Sequence, residues 1–125
     1  YITRILNSQY IQQCFKNIDI LINTWLDIPI YRFGISPNKW IDYMYAFKPV
    51  LVAYSGHDCI IDKAGCGLVV PAENTKALVD GIIKLSEMPA EELAKMGEKG
   101  KDYLMKNLSY ETLAAEFYKK LLLLK

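Results

Sequence analysis

With 125 residues, 52% of them hydrophobic, the chain has the length of one domain and enough apolar content for a core. Its 15 basic and 14 acidic residues leave a formal net charge of +1 and are scattered rather than blocked, which argues against nucleic acid or another polyanion as partner. No stretch approaches the roughly 18 apolar residues of a membrane span, and the chain does not open with the pattern of a secretory leader.

In chain order, Ile11, Cys14, Phe15 and Ile18 recur at helical spacing after an Asn7-Ser8 cap. Ile18 to Asn23 then reads as a strand, and the continuous run Ile20-Leu21-Ile22 suits one covered on both faces. Thr24 to Ile35, with Pro29 and Gly34, has no period and reads as a loop. Ser36 as N-cap and Pro37 at the first helical position open a helix carrying Trp40, Tyr43, Met44 and Phe47 on one side. That helix stops before Pro49, where a second apolar run, Val50 to Tyr54, begins. Ser55-Gly56-His57-Asp58 is a turn, and Cys59 to Lys63 is a short helix before Gly65. Gly67 to Val70 is a third strand, closed by Pro71. Asn74 or Thr75 begins a helix with Leu78, Ile82 and Leu85 on one face, and Pro89 starts another with Leu93, Met96, Tyr103 and Leu104. Ser109 caps a last helix carrying Leu113, Phe117, Leu121 and Leu124, apolar on more than one face through Leu121 to Leu124.

Short apolar strands alternating with amphipathic helices predict an α/β fold: a partial Rossmann-like parallel sheet of about three strands flanked by helices. Three strands are few for such a sheet and the first residue is Tyr1, so a piece of a longer protein is expected. Residues 1–108 form the sheet domain, and residues 109–125 form a helix packing across it or onto a partner domain. Ligands of open α/β sheets bind beyond the carboxyl ends of the strands. Thr24 to Ser36, Ser55 to Asp58 and Pro71 to Asn74 all lie on that edge.

The start of the second helix is the candidate site. Free N–H groups and the positive dipole end favour a phosphate there. Asn38 and Asp42 share a face one turn apart, with Lys39 beside them. A phosphate at the helix start and a ribose at the carboxylate make one coherent arrangement; an ordinary capped surface helix is the plain alternative. Cys14, Cys59 and Cys66 have no paired metal spacing and, with the single His57, make no zinc set; they read as reduced thiols, two or more packed as small hydrophobes. His57 itself reads as a turn or surface histidine.

The order Gly34-Ile35-Ser36-Pro37-Asn38-Lys39, then Asp42-Tyr43-Met44, Lys48-Pro49-Val50 and Ala64-Gly65-Cys66-Gly67-Leu68-Val69-Val70-Pro71, resembles glycosyltransferase family 4. The likeness is closest to bacterial members that build capsule and O-antigen polysaccharides. Met96-Gly97, Gly100 and the segment Ser109 to Tyr118 resemble that family's tail. The resemblance implies a GT-B architecture of two facing Rossmann-like domains, with this chain as the C-terminal part of the donor-binding one. It implies transfer of a sugar from a nucleotide diphosphate sugar to a polysaccharide or lipid-linked acceptor, with anomeric retention, no metal and no other cofactor. Asp42 falls on the second acidic residue of the family's paired-glutamate motif, which holds the ribose hydroxyls; the first falls near Gly34 and is absent. Gly34, Ile35, Ser36 and Pro37 match the loop that approaches the diphosphate, and Asn38 continues it. Lys39 either pairs with a phosphate or points to water. Phe47 stands where relatives place Gly, which implies a different helix exit or a packing role.

Catalytic residues are then expected outside this chain, on a preceding N-terminal domain, and the whole enzyme is expected in the cytoplasm, peripheral to the inner membrane face. Two alternatives remain: a GT-B relative such as a non-hydrolysing sugar-nucleotide 2-epimerase, and a non-catalytic α/β interaction module that uses its Leu-rich last helix.

Overall fold

A computed structural model describes residues 8–123. Helix α1 (Ser8–Phe15) leads to β1 (Leu21–Thr24), a 3₁₀ turn (Pro29–Phe33), α2 (Asn38–Tyr45), β2 (Val50–Ala53), α3 (Ile60–Ala64) and β3 (Gly67–Val70). Three helices follow: α4 (Thr75–Ser86), α5 (Ala90–Asn107) and α6 (Tyr110–Leu122). The strands form one parallel sheet in the order β1-β2-β3, with Leu21 opposite Val50 and Val50 opposite Gly67. The fold is the expected α/β arrangement of a three-stranded parallel sheet flanked by helices. Among the described residues no helix is long and apolar enough to cross a membrane.

Side chains alternate across a strand. Val50 and Val52 therefore face one side of the sheet, where they meet Trp40 and Met44 of α2, Ile61 of α3, Leu104 of α5, Tyr54, Cys59 and Cys66 in the core. Leu51 and Ala53 face the other side, where Gly81 of α4 lies against Leu51 and Val70. All four residues of β2 are buried, as a central parallel strand requires.

β1 departs from its expected cover. Leu21 and Asn23 are buried, but Ile22 is 43% exposed and Thr24 is also open. The reason is width: a helix is about 10 Å across and strands lie about 4.8 Å apart, so α4 covers β2 and β3 and leaves β1 bare. β1 also begins at Leu21 rather than Ile18.

The expected cap at Ser109 holds, and of the two candidate starts for α4 Asn74 is the cap and Thr75 the first helical residue. Asn74 Oδ1 accepts from the Ala77 N–H at 2.9 Å, and Ser109 Oγ accepts from the Thr112 N–H at 3.2 Å. α2 instead starts one residue later than expected: Pro37 occupies the cap position, no side chain caps it, and Ser36 is exposed outside the helix. The backbone supplies the closure, with the Trp40 N–H donating to the Pro37 carbonyl at 3.0 Å. The expected Asn7 cap and Leu124 lie outside the described residues.

At its other end α2 closes through Phe47, whose backbone is left-handed at φ 58°. An L-residue takes that conformation at a cost of about 1 kcal/mol. The exit is thus the one a glycine would make, with the ring left half exposed and Lys101 Nζ 5.1 Å from its centroid. Phe47 also explains Gly97. A β-carbon on Gly97 would sit 2.0 Å from the Phe47 carbonyl oxygen, so the glycine is what lets α5 approach this corner.

No residue of α6 is buried; Leu113, Phe117, Tyr118, Leu121 and Leu122 are exposed.

Candidate functional site

Because the strands are parallel, their carboxyl ends share one edge, and the three expected loops meet there. The Tyr54 hydroxyl, at the end of β2, donates to the Tyr31 carbonyl at 2.7 Å and lies 3.2 Å from the His57 carbonyl. The Ala72 N–H donates to Ser55 Oγ at 2.9 Å, and the Asp27 N–H donates to Glu73 Oε2 at 3.0 Å. These bonds lace the loops after β1, β2 and β3 to one another.

Underneath them is a polar clamp. Asn23, 8% exposed on β1, accepts at Oδ1 from the indole N–H of Trp25 and from that of Trp40, both at 2.8 Å. The rings pack edge to face: Trp25 on Tyr31 at 5.2 Å, Trp25 on Trp40 at 6.3 Å, and Trp40 on Tyr54 at 5.9 Å between centroids. A single amide thereby ties the loop after β1 to the first turn of α2.

The site residues expected from the sequence fall on this frame as one continuous path. Gly34, at φ 97°, turns the chain beside the turn after β2, with the His57 carbonyl 3.9 Å from where a β-carbon would stand. Few residues other than glycine tolerate that φ. Ile35 packs its side chain against the core, and Ser36 is exposed. Asn38 and Lys39 are the first two residues of α2, both exposed, and Lys39 Nζ lies 6.0 Å from the Trp25 ring centroid. Asp42 follows Asn38 by one turn and is half-buried. Its backbone carbonyl accepts from Gln12 Nε2 at 3.2 Å, while its carboxylate has no cation within 4.0 Å among the described residues. Burial, with the Asp42 charge second, pushes the neighbouring Tyr43 hydroxyl above its ordinary pKa.

His57 is exposed in its turn, with Nε2 3.6 Å from Asp58 Oδ1. Asp58 is bound more closely by Lys63 at 2.9 Å, and that hydrogen bond holds the Asp58 carboxyl below its ordinary range. Cys59 and Cys66 are buried and Cys14 is exposed. Burial pushes the Cys66 thiol up to about 12 and raises Cys59 as well, so neither supplies a thiolate near neutral pH. Among the described residues no three His, Cys, Asp or Glu side chains gather as a metal site.

Three contributors to this edge escaped the sequence. Asn23 carries one faint signal, an amide directly after the apolar run Ile20-Leu21-Ile22. Tyr54 stands in the sequence only as the end of the apolar run Val50 to Tyr54. Glu73, with a left-handed backbone at φ 56°, gave no signal at all. Comparison with protein-family models, with curated proteins and with solved structures returns no match for this chain.

Proposed function

We propose that the chain binds the nucleoside diphosphate part of a sugar donor and serves as donor-binding part of a retaining glycosyltransferase. The observation that carries this reading is the path from Gly34 through the start of α2 to an Asp42 carboxylate with no cation beside it among the described residues. The resemblance of Gly34 to Lys39, Asp42 and Ala64 to Pro71 to family 4 glycosyltransferases supports it from the sequence side.

In this arrangement the first N–H groups of α2 and its dipole meet the diphosphate, with the Ser36 hydroxyl beside them. Pro37 has no N–H to offer and only fixes the loop. Lys39 adds a positive charge at the same end. Asp42 lies one turn along, about 6 Å up the axis, and its carboxylate accepts from the ribose hydroxyls. The groups that break the anomeric bond belong to a second domain across a cleft, in a cytoplasmic enzyme peripheral to the membrane.

Titrating uridine, guanosine and thymidine diphosphates into the ¹⁵N-labelled chain tests this. The amides of Gly34 to Asp42 should shift saturably with at least one of them, and Asp42→Ala should weaken that binding about tenfold, as loss of a hydrogen bond to a charged group does. No shift in this segment with any of the three refutes the proposal. That outcome would favour a second reading, an interaction module working through α6, which the exposed Leu113, Phe117 and Leu121 of that helix support.

A further inference from the structure

We infer that the aromatic ridge at Phe47 docks an extended peptide that carries a carboxylate two residues from an aliphatic side chain. The ridge stands where α2 ends and β2 begins, at the amino edge of the sheet. It uses none of the residues from Gly34 to Asp42, so this inference and the diphosphate proposal can each fail alone. Phe47 separates two clefts. One holds about 430 Å³ and is lined by Gln12, Lys16, Tyr45, Ala46, Phe47 and Lys48. The other holds about 180 Å³; it shares Phe47 and Lys48 and adds Asp19, Pro49, Ala90, Leu93 and Ala94.

The ring is held out against its own backbone preference. Phe47 keeps φ 58° while it is 51% exposed, so burial of the ring does not explain why the position is not a glycine. Strain of this kind gathers at ligand clamps. The larger cleft is cationic: Lys16 and Lys48 line it, and Lys101 Nζ stands beside it, 3.2 Å from the Tyr45 ring centroid. None of these three lysines has a carboxylate within 4.0 Å among the described residues. Gln12 Nε2 donates to the Asp42 carbonyl at 3.2 Å and Lys48 Nζ to the Lys16 carbonyl at 3.5 Å, so this wall is ordered before a ligand arrives. The smaller cleft is apolar through Pro49, Ala90, Leu93 and Ala94, and its Asp19 repels an acid. A carboxylate therefore belongs in the first cleft and an aliphatic side chain in the second. Residues two apart on an extended chain point the same way about 7 Å from each other, enough to straddle one ring.

Other partners match only part of this surface. An inorganic anion leaves the Leu93 cleft empty. A bilayer is flat on this scale, so it fills neither cleft and lays the Asp19 charge against anionic headgroups. A nucleic acid needs a longer basic track than three lysines beside an acid. An extended peptide engages both clefts and the ring between them, with opposite charge in one and apolar burial in the other.

The test uses the whole ¹⁵N-labelled chain and two blocked peptides, acetyl-Ser-Glu-Ser-Leu-Ser-amide and acetyl-Ser-Leu-Ser-Glu-Ser-amide, which present the pair in both directions. The amides of Tyr45 to Lys48 and of Leu93 and Ala94 should move saturably with at least one of them, at a Kd of about 1 mM. Glutamine in place of the peptide's glutamate, or serine in place of its leucine, should each weaken binding about tenfold. Phe47→Gly suits the left-handed backbone, so it folds, and it should weaken binding about tenfold as well. Lys16→Gln, at an exposed position, should weaken it about threefold and reduce its salt dependence. Inorganic phosphate and phosphatidylglycerol vesicles are the control probes. The inference is overturned by unmoved amides with both peptides, by equal affinity for the glutamine or the serine peptide, or by equal affinity in Phe47→Gly. Larger shifts with phosphate alone, or cosedimentation with the vesicles that Phe47→Gly abolishes, also overturn it and assign the ridge to a free anion or to a membrane.

Discussion

Replacing Asn23 by Leu tests the clamp that holds the carboxyl edge together. Leucine has as many side-chain heavy atoms as the amide, and it removes the acceptor shared by two indole N–H groups together with the amide NH₂. Trp40 is 0% exposed, so its N–H has no water to turn to, and an orphaned buried donor costs about 1–3 kcal/mol. Trp25 is only half-buried, and its N–H can be rehydrated at less than about 1 kcal/mol. Burying leucine in place of an amide offsets part of this, which leaves a net loss of about 2 kcal/mol. Domains of this kind unfold at about 5–15 kcal/mol, so the loss is a large fraction of the total. Urea denaturation followed by circular dichroism reads it as a lower midpoint at unchanged slope. A double-mutant cycle isolates the bond: with Trp40→Phe the buried donor is gone, and Asn23→Leu should then cost less than about 1 kcal/mol. Equal cost in both backgrounds, or Asn23→Leu within about 0.5 kcal/mol of wild type, would refute the clamp.

Gly97→Ala should destabilise by about 3 kcal/mol, because its new methyl meets rigid backbone at Phe47 rather than a side chain that can swing away. Glu98→Ala, one residue on and exposed, should change the midpoint by less than about 0.5 kcal/mol, and similar losses in the two variants would contradict the close approach. The Cys66 thiol, raised from 9.0 to about 12, gives a pH dependence of definite sign. The unfolded thiol ionises first, so its contribution is present in full below pH 9.0 and is lost as pH rises towards about 12. Denaturation at neutral pH and at about pH 10.5 should show an alkaline loss that Cys66→Ala reduces; an identical loss in the variant would exclude Cys66 as its source.

Local signals that act within a few residues were legible in the sequence. Asn74 and Ser109 are caps because their side chains reach an N–H three residues on, and β2 is a strand because Val50 to Ala53 are apolar without a break. Signals that depend on the distant chain were not. Ser36 has the composition of a cap, yet Pro37 takes the position, because the backbone between Gly34 and Trp40 is set by the turn after β2 and by the clamp at Asn23. The bare face of β1 follows from how many strands one helix can cover, which no window of residues contains. The left-handed Phe47 is the converse case, where an unfavourable residue is held in place by the corner that α5 packs against. The candidate site divides in the same way: its residues from Gly34 to Asp42 stand in one stretch of chain, whereas Asn23, Trp40 and Tyr54 come together only through the sheet.

The strand order β1-β2-β3 has a consequence for how the molecule is made. Among the described residues each strand pairs with the next one in the chain, so β1, β2 and β3 can pair in the order in which they are made. Chains emerge from the ribosome at about 5–20 residues per second, and each βα unit can dock on the one before it as it appears. These three strands can pair before α5 is made, and α5 then closes over α2 and α3. The glycine face of α5, at Gly97 and Gly100, then has to fit a surface already formed, as Gly81 of α4 does earlier against Leu51.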